Sequence, residues 1–152
     1  MKISLIAKFL KLLLYTAATV DAVLIVTLPI FLGSYMKFFA DIYSENETYR
    51  LFIMLFLWFV GVFGFWIIVE LLGMLRTIDK DPFVERNVVA LSRMGFVAIG
   101  MAVTFAVKCI FFVTPLTVLV SVVMILCSLF SFTMSGLFKQ AVAYKKENEL
   151  TI

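Results

Sequence analysis

Four long apolar segments, separated by short polar stretches, dominate the sequence. They occupy about residues 12–36, 51–75, 94–113 and 117–138. Each holds about 20–25 residues, and a helix of that length, rising about 1.5 Å per residue, crosses a hydrocarbon core of about 30 Å. The pattern therefore predicts an all-α, polytopic membrane protein in which residues 1–152 form a single domain, a bundle of four antiparallel transmembrane helices.

Basic residues lie almost entirely on one side of these segments. Of the 13 Lys and Arg residues, only Lys37, Arg50 and Lys108 fall outside the N-terminal stretch, residues 76–93 and residues 139–152. Because cytoplasmic loops of membrane proteins carry an excess of Lys and Arg, both termini and the loop 76–93 are predicted to be cytoplasmic. The expected location is a bacterial inner (plasma) membrane, with a multi-pass, N-in and C-in topology.

The composition supports the membrane prediction and argues against an enzyme. Hydrophobic residues make up 64% of the chain, against about 45–50% in soluble domains. The net charge of +3 comes from the basic residues of the predicted cytoplasmic segments. It is therefore no sign of direct nucleic-acid binding, which we do not expect, and the expected partner of the apolar surface is the lipid bilayer. The chain contains no His and none of the HExxH, GxSxG or phosphate-loop motifs of common catalytic sites. We therefore predict no enzymatic activity, no cofactor and no metal site.

Three charged residues fall inside the apolar segments: Asp21, Glu70 and Lys108. Charged residues at membrane depth are costly and usually functional. Glu70 can pair with Arg76 or Arg93, and Lys108 can reach the outer interface along its aliphatic stem. Asp21 lies deepest, and its height differs from that of Lys108 by roughly 8 Å, near the limit for a direct pair. A structural clasp between helices, a ligand or ion site and a proton-coupled step all remain open.

Side chains of one kind recur at helical spacing in three of the segments. The second segment carries an aromatic stripe, formed by Phe52, Phe56, Phe59, Phe63 and Trp66. The third segment carries small residues at Ala98, Ala102 and Ala106. The fourth segment carries hydroxyls at Thr117, Ser121, Ser128, Ser131 and Ser135. Small residues and hydroxyls indicate contacts between helices, within the chain or in a homodimer. The aromatic stripe is typical of packing, with ligand stacking as the alternative.

The connections around the third segment carry clear local signals. Thr114 and Pro115 predict a tight turn, which makes the third and fourth helices neighbours. Ahead of the third segment, Asp81 is a candidate N-cap and Pro82 suits the first helical position. A helix from Pro82 to Val113 would exceed the thickness of the bilayer, so its first dozen residues are expected at the cytoplasmic face.

Two of the predicted cytoplasmic segments resemble a known family. They read DPFVERNVVALSRMG at residues 81–95 and FKQAVAYKKENELTI at residues 138–152. Both are similar to a family of small bacterial four-helix membrane proteins catalogued as domain of unknown function 2975, and the likeness extends over most of the chain. In that family the tail commonly reads nearer to ENDLTI, so Glu149 is a mild departure that keeps the acid.

The resemblance implies no chemistry, because the family has no assigned activity. Its members are often encoded beside a small helix-turn-helix regulator, which implies by association a membrane-bound partner for such a regulator. The partner-binding residues implied by the two segments are Asp81, Pro82, Phe83, Asn87, Glu147, Asn148, Leu150, Thr151 and Ile152.

The last three residues of the tail are unusual for a solvated terminus. Leu150, Thr151 and Ile152 are mostly apolar or β-branched, where polar residues are more common. An extended end of this kind can bind a partner as an added strand or through a carboxylate pocket. The alternative is a frayed end that lies against the bundle.

The sequence favours a sensor or anchor whose cytoplasmic loop and tail bind a soluble partner, such as a small helix-turn-helix regulator. In the alternative, the intramembrane charged residues bind a small molecule or peptide. The chain would then be a resistance or immunity protein, or a small oligomeric transporter. The two functions make different residues essential, the cytoplasmic segments in the first and Asp21 in the second.

Overall fold

The computed structural model describes residues 2–40, 47–78 and 81–150. These residues form four α-helices, which are α1 (Lys2–Ala40), α2 (Glu47–Ile78), α3 (Glu85–Phe111) and α4 (Pro115–Leu150). Each helix contains an apolar stretch long enough to cross a membrane. The prediction of an all-α chain with four helices capable of spanning a membrane is therefore confirmed.

The helices are longer than the apolar segments that mark them. Helix α1 has 39 residues and continues through Pro29, while α4 has 36 residues. At about 1.5 Å per residue both exceed a hydrocarbon core of about 30 Å by roughly 20 Å or more. The polar residues at the helix ends are therefore carried on rigid helical extensions of the apolar segments.

The helices pack as an open row in chain order. Among the described residues, α1 contacts α2, α2 contacts α3 and α3 contacts α4, and no other pair of helices is in contact. The sequence predicted a bundle of four antiparallel helices, but not that each described helix contacts only its neighbours in the chain. The physical reason is that lipid tails are as apolar as Leu or Phe, so an apolar helix face in a membrane need not be covered by another helix.

Among the described helices, α3 and α4 make the most extensive contact with each other. Three α4 hydroxyls donate to main-chain carbonyls of α3: Ser121 to Ala102 (3.2 Å), Ser131 to Leu91 (2.7 Å) and Ser135 to Val88 (2.8 Å). Ala98 and Ala102 are buried, and their small side chains let the two backbones approach. The interhelical role predicted for the hydroxyl strip is confirmed at these three serines, whereas Ala106 is exposed.

The turn between α3 and α4 has three residues, 112–114. The carbonyl of Thr114 accepts from the main-chain N–H of Thr117 at 3.0 Å, and the hydroxyls of the two threonines are hydrogen-bonded. Pro115 opens α4, where its lack of an N–H costs nothing because the first N–H groups of a helix have no internal partner. The predicted tight turn is confirmed.

The start of α3 differs from the prediction. The helix begins at Glu85, and Val84 is the N-cap residue, with an extended backbone and no capping hydrogen bond from its side chain. Asp81 instead accepts the N–H of Phe83 at 3.0 Å, within the turn that precedes the helix. Asp81 also pairs with Lys145 of α4, so its carboxylate binds the end of α4 and does not cap α3.

Candidate functional site

The segment before α3 and the end of α4 pack against each other. Lys145 of α4 is hydrogen-bonded and ion-paired to Asp81, and Lys146 donates to Glu85 at 2.6 Å. The rings of Phe83 and Phe138 also meet, with centroids 5.5 Å apart. Residues 81–85 and 138–148 therefore form one composite surface, which we name the loop–tail face.

Asn87 positions the loop–tail face from inside. Its side chain is 1% exposed, its Oδ1 accepts from the hydroxyl of Thr77 at 2.9 Å, and its Nδ2 donates to the carbonyl of Pro82 at 2.8 Å. An amide suits this position because it supplies one acceptor and one donor, and the two groups that it binds come from different segments. The side chain is buried and bound within the chain, so we expect Asn87 to act on a partner by positioning the loop, and its predicted contact with a partner stays a prediction.

The other residues predicted to bind a partner are distributed around the loop–tail face. Phe83 is 43% exposed although it touches Phe138, and Glu147 and Asn148 are exposed on α4. Helix α4 continues to Leu150, so the extended conformation predicted for the tail does not begin before that residue. Thr151 and Ile152 lie outside the described residues.

Charge stabilises the contact between loop and tail. The hydrogen bond from Lys145 holds the pKa of Asp81 below its usual value. Partial desolvation opposes this effect, while the N–H of Phe83 adds to it. The hydrogen bonds from Lys145 and from the N–H of Phe83 both favour the ionised carboxylate. Asp81 therefore carries a negative charge at neutral pH and attracts the tail.

A basic groove runs beside the loop–tail face, between α3 and α4. It has a volume of about 640 Å³, and its charged lining residues are Glu85, Arg93, Lys139 and Lys146. Arg93 and Lys146 are paired with carboxylates, whereas no described carboxylate lies within ion-pairing distance of Lys139. The groove could not be predicted from the sequence, because the pattern along the chain does not show that α3 and α4 bring Arg93, Lys139 and Lys146 together.

Two of the three intramembrane charges have partners. Arg93 lies 3.3 Å from Glu70, so the structure selects one of the two cations considered for that carboxylate. Lys108 donates to the hydroxyl of Thr117 at 2.9 Å, and its Nζ lies 5.4 Å from the centroid of the Phe56 ring. The first interaction joins α2 to α3, and the second joins α3 to the first turn of α4.

Asp21 lies apart from the other two charges, in the contact between α1 and α2. Cβ atoms built on Gly61 and Gly64 would each come within 3.6 Å of one of its carboxylate oxygens, so the side chain faces these glycines. Asp21 does not pair with Lys108, since α1 and α3 do not contact each other within the described residues. The three charged residues of the apolar segments therefore occupy three separate places, and their role as a clasp or a ligand site stays a prediction.

The aromatic stripe packs against α3. Four of its members, Phe52, Phe56, Phe59 and Phe63, line an apolar groove of about 490 Å³ between α2 and α3. Phe56 meets Phe105 edge to face, with ring centroids 5.2 Å apart. Trp66 is half-exposed and does not line this groove. Packing between helices accounts for most of the stripe.

A protein family model matches most of the chain. A family model described as protein of unknown function (DUF2975) matches residues 34–152. No curated protein and no solved structure matches the chain at a significant level. The matched region contains α2, α3, α4 and both segments of the loop–tail face, while Asp21 precedes it. Because the model covers well over half of the sequence, the chain belongs to the DUF2975 family.

Proposed function

We propose that this protein is a non-enzymatic, multi-pass protein of the bacterial inner membrane whose loop–tail face binds a soluble cytoplasmic partner. In this proposal the four helices cross the membrane in alternating directions, with both termini inside the cell. The excess of Lys and Arg in the N-terminal stretch, in residues 76–93 and in residues 139–152 supports that topology. It places the loop–tail face in the cytoplasm.

One observation carries the proposal: two segments that are distant in sequence form a single surface. Residues 81–85 and 138–148 meet through the Asp81–Lys145 and Glu85–Lys146 pairs and the contact between Phe83 and Phe138. The surface joins the start of α3 to the end of α4, so a signal that shifts these helices relative to each other would alter it. A sensor needs such a connection between its membrane part and its partner.

The chemistry of the surface indicates the kind of partner. The basic groove beside the loop–tail face offers the exposed guanidinium of Arg93 and also Lys139, which pairs with no carboxylate among the described residues. Phe83 adds an exposed aromatic ring. Such a surface suits a protein segment that carries carboxylates beside an apolar anchor. The family resemblance supports a small helix-turn-helix regulator as the partner.

The proposal is tested by extracting the full chain from native membranes and identifying, by mass spectrometry, the soluble helix-turn-helix regulator that co-purifies with it. We expect Lys139→Glu and Phe83→Ala to reduce the retained regulator, as should a chain that ends at Glu149. Phe112→Ala is the matched control, since it removes an exposed aromatic ring at the opposite end of α3. Equal retention by all variants, or no retention by the full chain, would contradict the proposal.

The topology is tested separately by cysteine labelling. Both native cysteines, Cys109 and Cys127, are replaced by Ala, and one new cysteine is introduced at Tyr144 or Phe112, both of which are exposed. We expect a membrane-impermeant maleimide to label the Phe112→Cys chain in intact cells. The Tyr144→Cys chain should be labelled only after lysis. The reverse pattern would place the loop–tail face outside the cell.

A further inference from the structure

The contact between α1 and α2 contains an apolar groove with one charged group. Its volume is about 310 Å³, and its lining residues are Asp21, Leu24, Ile25, Leu28, Leu57, Val60 and Gly61. Leu24 is 43% exposed and Leu57 is 37% exposed, so the groove is open at its side. In the proposed topology both helices span the membrane, so an opening at their side would be reached from the lipid.

Two glycines of α2 make room for the carboxylate of Asp21. A Cβ built on Gly61 would lie 3.6 Å from Oδ1, and one built on Gly64 would lie 3.6 Å from Oδ2. The Gly61 Cβ would also come within 2.8 Å of Cγ1 of Ile25, so α1 and α2 approach closely at this point. The side chain therefore rests against the α2 backbone and presents Oδ1 beside the groove.

Within the described residues, nothing neutralises this carboxylate. No hydrogen bond or ion pair involves Asp21, whereas Glu70 has Arg93. Earlier in α1, the hydroxyl of Tyr15 accepts a hydrogen bond from Arg76 of α2 at 3.2 Å. Asp21 lies six residues further along the helix, about 9 Å deeper into the apolar span. An unpaired carboxylate at membrane depth is costly and is a candidate binding group.

We propose that this groove binds a lipophilic cation, a protonated amine on an aliphatic body that enters sideways from the bilayer. The ammonium group would donate to Oδ1 of Asp21, and the aliphatic part would lie along Leu24, Leu28 and Leu57. Charge complementarity selects a cation, because the groove has one carboxylate and no basic lining residue. The apolar walls select an amphiphile over a water-soluble ion, since they offer no further polar ligands.

A metal ion fits this groove poorly. Hard cations such as Ca²⁺ take six to eight oxygen ligands, and Asp21 alone cannot supply them. No group of three or more potential metal ligands occurs in the described part of the chain. The inference is independent of the proposed partner at the loop–tail face, because the groove lies on α1 and α2 and its occupancy can be measured without that partner.

The test is the thermal unfolding midpoint of the full chain in neutral-detergent micelles, titrated with octylammonium chloride. A ligand that binds the folded state raises this midpoint in a saturable manner. We expect a rise with octylammonium and none with octanol, which has the same chain and no charge. In Asp21→Asn the apparent affinity should fall about 10- to 100-fold, because a charge-assisted hydrogen bond is lost.

Further variants separate binding from folding. Asp21→Glu keeps the charge and should keep most of the rise, while Val60→Phe fills the groove, leaves Asp21 in place and should abolish it. Glu70→Gln is the matched control, because it neutralises a membrane carboxylate outside the groove and should leave the rise unchanged. If Asp21→Asn does not fold, Val60→Phe decides the result. An equal rise in wild type and Val60→Phe, or an equal rise with octanol, would overturn the proposal.

Discussion

Asn87 and Thr77 are joined by a 2.9 Å hydrogen bond from the threonine hydroxyl to the amide Oδ1. Thr77 lies in the last turn of α2 and Asn87 in the first turn of α3, so the bond ties the two helix ends together. The same amide donates to the carbonyl of Pro82 and so holds the connecting segment as well. One buried side chain thereby positions the loop half of the loop–tail face.

We expect Asn87→Ala to destabilise the fold by about 1–3 kcal/mol, because it leaves the Pro82 carbonyl without its donor and removes the link from Thr77, whose hydroxyl keeps only the Met74 carbonyl as acceptor. The free energy of unfolding is measured by titration with a denaturing detergent in mixed micelles. Asn148→Ala is the matched control, since Asn148 is exposed and its loss should change little. Equal stability of the two variants would show that the buried amide does not hold the connection.

The Asp81–Lys145 pair predicts a pH dependence of stability. The folded pKa of Asp81 lies below the ordinary 3.8, so the folded state favours the ionised carboxylate. The contribution to stability is therefore present above pH 3.8 and is lost as the pH falls through the folded pKa. We expect Asp81→Asn to be less stable than wild type at pH 7 and to converge with it in strong acid. A gap that is constant from pH 7 to pH 3 would contradict the pairing.

Two glycines offer a matched pair for testing the contact between α3 and α4. A Cβ on Gly95 would lie 2.8 Å from Cε1 of Phe132, whereas one on Gly136 would meet nothing within 4 Å. Gly95→Ala should therefore destabilise the protein by about 1–3 kcal/mol through overpacking. Gly136→Ala should be neutral or stabilise it by up to about 1 kcal/mol, since Ala favours helix more than Gly. Unfolding titrations of both variants check the difference, and a stabilised Gly95→Ala would rule out the close approach.

The Glu70–Arg93 pair should contribute little to stability. Its atoms lie 3.3 Å apart, but 61% of the Arg93 side chain is exposed, and in the proposed topology this long side chain reaches the cytoplasmic interface, where water screens the pair. A double-mutant cycle with Glu70→Gln and Arg93→Gln should give a coupling energy of about 0.2–1 kcal/mol. A coupling of about 3 kcal/mol or more would mean that the pair is buried in the membrane-bound protein.

The features that the sequence predicted correctly depend on local patterns. Apolar length marks four membrane-spanning helices because each span must satisfy its own backbone hydrogen bonds and present apolar side chains to lipid. Hydroxyls at helical spacing share a face whatever the helix packs against, so Ser131 and Ser135 could be assigned to a helix contact. Pro115 marks the start of α4 because proline is favoured at the first helical position.

Features that depend on contacts between distant residues were decided by the tertiary structure. Asp81 reads as a helix cap, yet it binds Lys145, which is 64 positions away, and α3 starts at Glu85. The open row of helices could not be read from apolar length, because lipid covers an apolar face as well as a neighbouring helix does. That row separates Asp21 from Lys108 and leaves the carboxylate facing Gly61 and Gly64. The sequence by itself determined which residues lie in the four apolar helices, because apolar length is a local property, and the packing of the helices decided which of them meet.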